Sequence, residues 1–322
     1  MKSSSIHHLN SGLIVLSCIL AFILPFELFL FSYAVLGPLH YLTEIGWLHK
    51  KNYFTKGKYD FVFLTLLCLL LVYYNYNPPK KAGTFIPDLI AFALFVSVGF
   101  VFVKDFLYRV IIVVLSVISV GFLNDANSYF TWMGIFLPTV IHVFVFTWLF
   151  MIYGVLKERS KSGLISVVVL IVCATLIFVV QPQNLFYEVS AFTQKSYSMF
   201  AELNYRLINL FKLGEISDFT QLYTSNAGFV IMRFIAFAYT YHYLNWFSKT
   251  SVIKWHQVPK KVLIGTILIW IASVTLYIID YNLGLKVLFF LSFLHVFLEF
   301  PLNIVSFTGI GKELAGLSKS RS

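Results

Sequence analysis

The chain has 322 residues, 59% of them hydrophobic and only 12% charged, with a formal net charge of +10. A soluble domain carries about a quarter charged residues, so this composition excludes a soluble enzyme and predicts an all-α, polytopic transmembrane helix bundle. The positive charge does not indicate a nucleic-acid partner, because the basic residues lie in short loops between apolar segments, where membrane topology accounts for them.

An apolar run of about 20 residues crosses the hydrocarbon core as a helix. In chain order such runs predict a single integral membrane domain, 1–322, of about ten helices. They fall at roughly 11–25, 27–48, 59–77, 85–103, 106–123, 129–153, 163–180, 226–247, 262–280 and 284–303. Pro25 divides the first two. No small-residue cleavage site follows the first apolar run, so it reads as a membrane helix and not as a signal peptide. Cys18, Cys68 and Cys173 lie inside apolar runs, without the spacing of a disulfide framework or a zinc site.

Lysine and arginine concentrate in the loops at 49–58, 104–105, 154–162 and 248–261 and in the C-terminal tail. The opposite side holds Lys80, Lys81, Lys195, Arg206, Lys212 and Lys286. This bias places both termini in the cytoplasm, and the short loops suit a bacterial inner membrane. In the long connection 181–225, Leu185, Val189, Phe192, Met199, Leu203, Leu207 and Leu210 recur at helical spacing, with Glu188, Lys195, Glu202 and Arg206 between them. The pattern predicts a helix lying in the outer interface, either as a cap packed on the bundle or as a gate through which lipid enters.

The informative residues are polar ones inside apolar helices. His40 and Glu44 lie one turn apart in the second helix, and His295 and Glu299 repeat the spacing in the tenth. His142 lies in the sixth helix, and His242 in the eighth, flanked by Tyr241 and Asn245. At 1.5 Å per residue, His40 and His295 sit ~12 Å from the cytoplasmic helix ends, His242 ~9 Å and His142 ~18 Å. All four imidazoles are thereby expected in the inner half of the membrane. Ionisable groups at such depth mark a functional site by default. Hydrogen-bonded core histidines and a proton pathway are the competing explanations.

Imidazole suits iron, copper, zinc and nickel. Glu44 and Glu299 could ligate directly or fix a histidine tautomer. Fe(II) would keep positions open for dioxygen, zinc with a bound water would point to hydrolysis, and a bis-histidine haem needs no covalent attachment motif. Pro38, Pro138 and Pro301 lie near the key histidines, where a missing N–H can redirect a helix. His7, His8, His49 and His256 read as solvated. Trp47, Trp246 and Trp255 read as interfacial-belt residues, and Asp88 is the expected partner of Arg233. The 35 phenylalanines would also suit a pocket for a long apolar molecule.

The stretch GPLHYLTE, Gly37 to Glu44, resembles the first motif of the Brp/Blh family of membrane β-carotene 15,15′-dioxygenases. The placement of His142, His242 and His295 is similar to that family's later histidines. The family has proline directly before the motif histidine and glycine after it, where this chain has Leu39 and Tyr41. Ile45 stands in place of the motif's second histidine. The resemblance implies a non-haem Fe(II) centre, one or two ions per chain, held by His40, His142, His242 and His295. Glu44 stands in the motif's acidic place; from their own positions, Glu299 would act beside the metal and Asn245, with Tyr241, would either orient a ligand or make a helix-packing hydrogen bond. Dioxygen and an apolar carotenoid or lipid, taken from the surrounding membrane lipids, would be the reactants. A transporter or proton- or metal-coupled carrier using the same residues is the alternative, as is a non-catalytic membrane assembly protein.

Overall fold

The computed structural model describes residues 3–78, 85–123, 125–126, 128–181, 187–249, 254 and 257–319. Lys80, Lys81, Leu185, Trp255 and His256 lie outside them. The described residues are helical, with no strand among them. In chain order the helices are α1 (Ser3–Ile23), α2 (Pro25–Lys50), α3 (Asp60–Tyr76), α4 (Phe85–Phe102), α5 (Phe106–Leu123) and α6 (Phe130–Glu158). They continue with α7 (Lys161–Val179), α8 (Ala191–Tyr197), α9 (Ala201–Phe211), α10 (Asn226–Ser248), α11 (Lys260–Ile279) and α12 (Tyr281–Lys319). Among the described residues eight helices are long and apolar enough to cross a membrane: α1, α2, α4, α5, α6, α7, α11 and α12. The chain is a multi-pass, all-α protein. α10 falls outside this set because Arg233, His242, Asn245 and its tyrosines dilute its apolar character; α3, at 17 residues, is shorter.

Contacts divide the chain into two compact units. The first comprises residues 1–40 and 158–286. Its centre is α10, in which nearly every side chain from Gly228 to Ser248 is buried. A helix covered on all faces must be ringed by others, and α1, α2, α7 and α9 pack against it. Polar stitches fix the register. Asn10 of α1 accepts from the Ser248 hydroxyl (2.9 Å) and the Tyr241 hydroxyl (3.4 Å). The hydroxyls of Ser32 in α2 and Thr240 lie 2.8 Å apart. Lipid cannot satisfy a polar group, so such bonds must be made within the protein.

Among the described residues the 181–225 connection holds two short helices, α8 and α9, and 3-10 turns at Ser198–Phe200 and Phe219–Tyr223, and no single long helix. Val189, Leu203 and Leu207 are buried, while Phe192, Met199 and Leu210 are exposed. The segment is a packed cap: α9 lies on α10 and α8 on the start of α2. Glu27 of α2 anchors it, accepting from the hydroxyls of Tyr187 (2.5 Å) and Thr193 (3.2 Å). Polar positions such as Ser190, an N-cap, break the helical run that periodicity alone suggests.

The second unit comprises residues 41–157 and 287–322. Its core joins Leu48, Leu64, Cys68, Ile90, Leu137, Phe297 and Phe300. α5 turns Leu107, Val114, Leu115, Val117 and Phe122 outward, as a lipid-facing helix must. Asp60 and Arg109 form a two-pronged pair, Nη1 to Oδ1 at 2.6 Å and Nη2 to Oδ2 at 3.0 Å. The same guanidinium donates to the Val103 carbonyl, and Asp60 accepts from the Gly57 N–H. The pair pins the 51–59 loop beside the α4–α5 turn. α12 runs on to Lys319 and does not end near 303. Pro301 and the glycines beyond it are accommodated, so the helix end does not mark a membrane boundary and the depth expected for His295 loses its reference point.

A Cβ on Gly228 would overlap the backbone of Leu222, whereas nothing lies within 4 Å of one on Gly12. Gly228→Ala is therefore expected to cost about 1–3 kcal/mol through overpacking, read as a lower unfolding midpoint in detergent, with Gly12→Ala at or above wild type. Asp60→Ala, which strands the Arg109 guanidinium, is expected to cost about 1.5–3 kcal/mol in the same measurement.

Candidate metal centre

Two of the helices that carry the key histidines change winding near them. Ser32–Leu36 is π-helical, with the Gly37 N–H bonded five residues back to the Ser32 carbonyl. Pro38, which has no N–H and crowds the carbonyl four residues earlier, begins the α-helical stretch that carries His40. Trp270 donates to the Val35 carbonyl (2.7 Å) and Tyr281 to that of Leu30 (3.1 Å), holding this stretch from the side. In α6 the π-helical winding spans Phe130–Phe146 and contains both Pro138 and His142. π-helical turns are rare and concentrate at functional sites. Pro301, by contrast, sits in uninterrupted α-helix.

All four of these histidines are buried, with His40 and His142 each 1% exposed. They form one pair in each unit. In the first, His40 Nε2 and His242 Nε2 lie 3.1 Å apart, their ring planes at 72°. Tyr243 packs against both rings, at 5.2 Å and 5.4 Å, and Trp246 meets His40 edge-on at 5.7 Å. Trp246 is thus a buried neighbour of the pair and not a belt residue. In the second, His142 Nε2 and His295 Nε2 lie 3.0 Å apart at 71°, and Tyr41 stacks on His295 at 4.1 Å.

Glu299 completes the second group. Its Oε2 lies 3.3 Å from His142 Nδ1, and both side chains are almost fully enclosed. A carboxylate beside a ring nitrogen favours a form of the imidazole that carries a proton there. One ligand atom from each of His142, His295 and Glu299 lies within 4.8 Å of the others. Glu44 is likewise buried, one turn beyond His40 on α2. Asn245 is buried one turn from His242, and the Tyr241 hydroxyl reaches Asn10 of α1.

These separations fit a metal. Two nitrogens each ~2.1 Å from one ion, and a right angle apart about it, stand ~3.0 Å from each other. Lone pairs at that distance repel unless a proton or a cation lies between them. The buried His and Glu groups could therefore hold a metal ion. Among the remaining sequence expectations, His7 and His49 are not simply solvated: His7 Nε2 lies 3.1 Å from Glu158 and His49 Nδ1 3.3 Å from the Tyr53 hydroxyl. The Arg233 guanidinium lies over the rings of Phe22 and Phe229. Sequence reasoning missed Tyr41, Tyr243 and Asn303. The first two adjoin motif histidines, but aromatic abundance hides them; Asn303, four residues beyond Glu299, had a visible spacing signal.

No protein-family model, curated protein or solved structure matches the chain.

Glu299→Gln keeps the size of the side chain and removes the charge that orients His142. Metal affinity, titrated against a chromophoric chelator, is expected to fall about 10–100-fold, with helicity by circular dichroism unchanged.

Proposed function

We propose that the chain is a membrane-embedded non-haem iron oxygenase acting on an apolar substrate such as a carotenoid or lipid. The single observation that carries the reading is the His142–His295–Glu299 group. Two buried imidazoles with a carboxylate beside them, His142 and His295 as ligands and Glu299 at the outer edge of His142, suit a non-haem Fe(II) centre. His40 and His242 supply a second imidazole pair, and Glu44 lies one turn from it. The resemblance of Gly37–Glu44 to the β-carotene dioxygenase motif supports the same chemistry.

When bound, Fe(II) would supply the one-electron chemistry that activates dioxygen. The chain's own part is position and exclusion. Glu299, beside His142 Nδ1, would favour a proton on that nitrogen. Tyr41 fixes the plane of His295 by stacking, and Tyr243 and Trp246 enclose His40 and His242. The apolar helix faces give a hydrophobic substrate a medium from which to reach the site without crossing water.

The 3.0–3.1 Å nitrogen separations also suit an N–H shared between imidazoles, which favours a packing role as the second reading. The two are separated by metal content. Protein purified in detergent and loaded anaerobically with Fe(II) is expected to hold about one or two iron atoms per chain by mass spectrometry. Iron should be lost in His142→Ala and His295→Ala, and in His40→Ala and His242→Ala. A wild type that stays metal-free after loading would leave the histidines as packing groups and end the oxygenase reading.

A further inference from the structure

α12 continues beyond Glu299 with a buried face that is unexpectedly polar. Asn303 is 5% exposed and Ser306 2% exposed, and Gly309 follows on the same side. Residues 295, 299, 303 and 306 are spaced by four, four and three, so they form one stripe along the helix. Neither amide atom of Asn303 has a hydrogen-bond partner among the described residues. A primary amide has two donor hydrogens and two acceptor lone pairs, and buried polar groups in folded proteins almost always find partners in protein or in ordered water. An orphaned amide one turn beyond a buried carboxylate asks for a small molecule that both donates and accepts.

The facing helix shows where such a molecule would come from. α6 meets α12 at His142 and His295 and again where the Tyr153 ring lies against Gly309. The two helices therefore run side by side in the same direction between these points, a span on the order of 15–20 Å. A Cβ at position 309 would overlap the Tyr153 ring, so glycine lets the ring close the stripe at that end. Beyond Tyr153 comes Lys157, exposed, its Nζ 5.9 Å from the ring.

We propose that the α6–α12 interface is a gated aqueous entrance, in which water reaches Glu299 along Asn303 and Ser306 when the Tyr153 ring moves off Gly309. This stripe suits water and small hydrated solutes. The entrance deepens the metal-site reading by giving that site a polar route, and it is tested without reference to metal.

In a background with Cys18, Cys68 and Cys173 changed to serine, Asn303→Cys, Ser306→Cys and, as a buried control, Phe297→Cys are reacted in permeabilised vesicles with a small charged methanethiosulfonate. Both stripe cysteines are expected to react at least ten times faster than Phe297→Cys. Tyr153→Ala is expected to speed the reaction of Asn303→Cys further. Ser306→Cys is nearly isosteric and guards against a variant that misfolds. Reaction of Asn303→Cys no faster than Phe297→Cys, whether or not Ser306→Cys reacts, overturns the entrance. Iron content of the wild type is read separately, so fast labelling in a protein that binds no metal keeps the entrance and removes the metal reading.

Discussion

The cost of enclosing ionisable side chains among apolar helices governs this structure. Imidazoles and carboxylates cannot lean on solvent there, and each must be met by protein, proton or ion. The solution adopted is pairing. His40 faces His242 at 3.1 Å, His142 faces His295 at 3.0 Å, and Glu299 stands behind His142. A nitrogen-to-nitrogen approach this close needs a hydrogen shared between the rings or a metal ion between them.

The helices are shaped to meet it. α10 is covered on every face, so His242 cannot avoid burial, and the polar bonds from Asn10 and Ser32 hold the helix in one rotation. The π-helical stretches in α2 and α6 redirect the chain at Pro38 and Pro138. Extra turns of this kind are less favourable than α-helix, and they persist only where packing requires a side chain to point elsewhere. Away from these helices the second unit is conventional, with α5 largely given over to its exposed apolar surface and Asp60–Arg109 closing the loop end.

Much of this was legible from residue type and spacing. Long apolar runs placed the membrane helices, and the i, i+4 spacing of His40–Glu44 and His295–Glu299 picked out the buried stripes. The choice of pairing was not legible, because it depends on which helix faces which, and apolar helices with little amphipathic pattern do not announce their neighbours. The 181–225 segment misled for a related reason. Its periodicity was compatible with one long helix, but short capping motifs such as Ser190 divide it. The run of α12 to Lys319 escaped notice because Pro301 and three glycines resemble a stop signal, and tertiary packing such as Tyr153 on Gly309 overrides it.

The most direct test of the account is X-ray absorption at the iron edge of the purified, Fe(II)-loaded protein. The account predicts a first shell of nitrogen and oxygen only, with the outer-shell scattering of imidazole, and its weakening in His142→Ala and His295→Ala. A first shell containing sulfur, or one lacking imidazole, would contradict it.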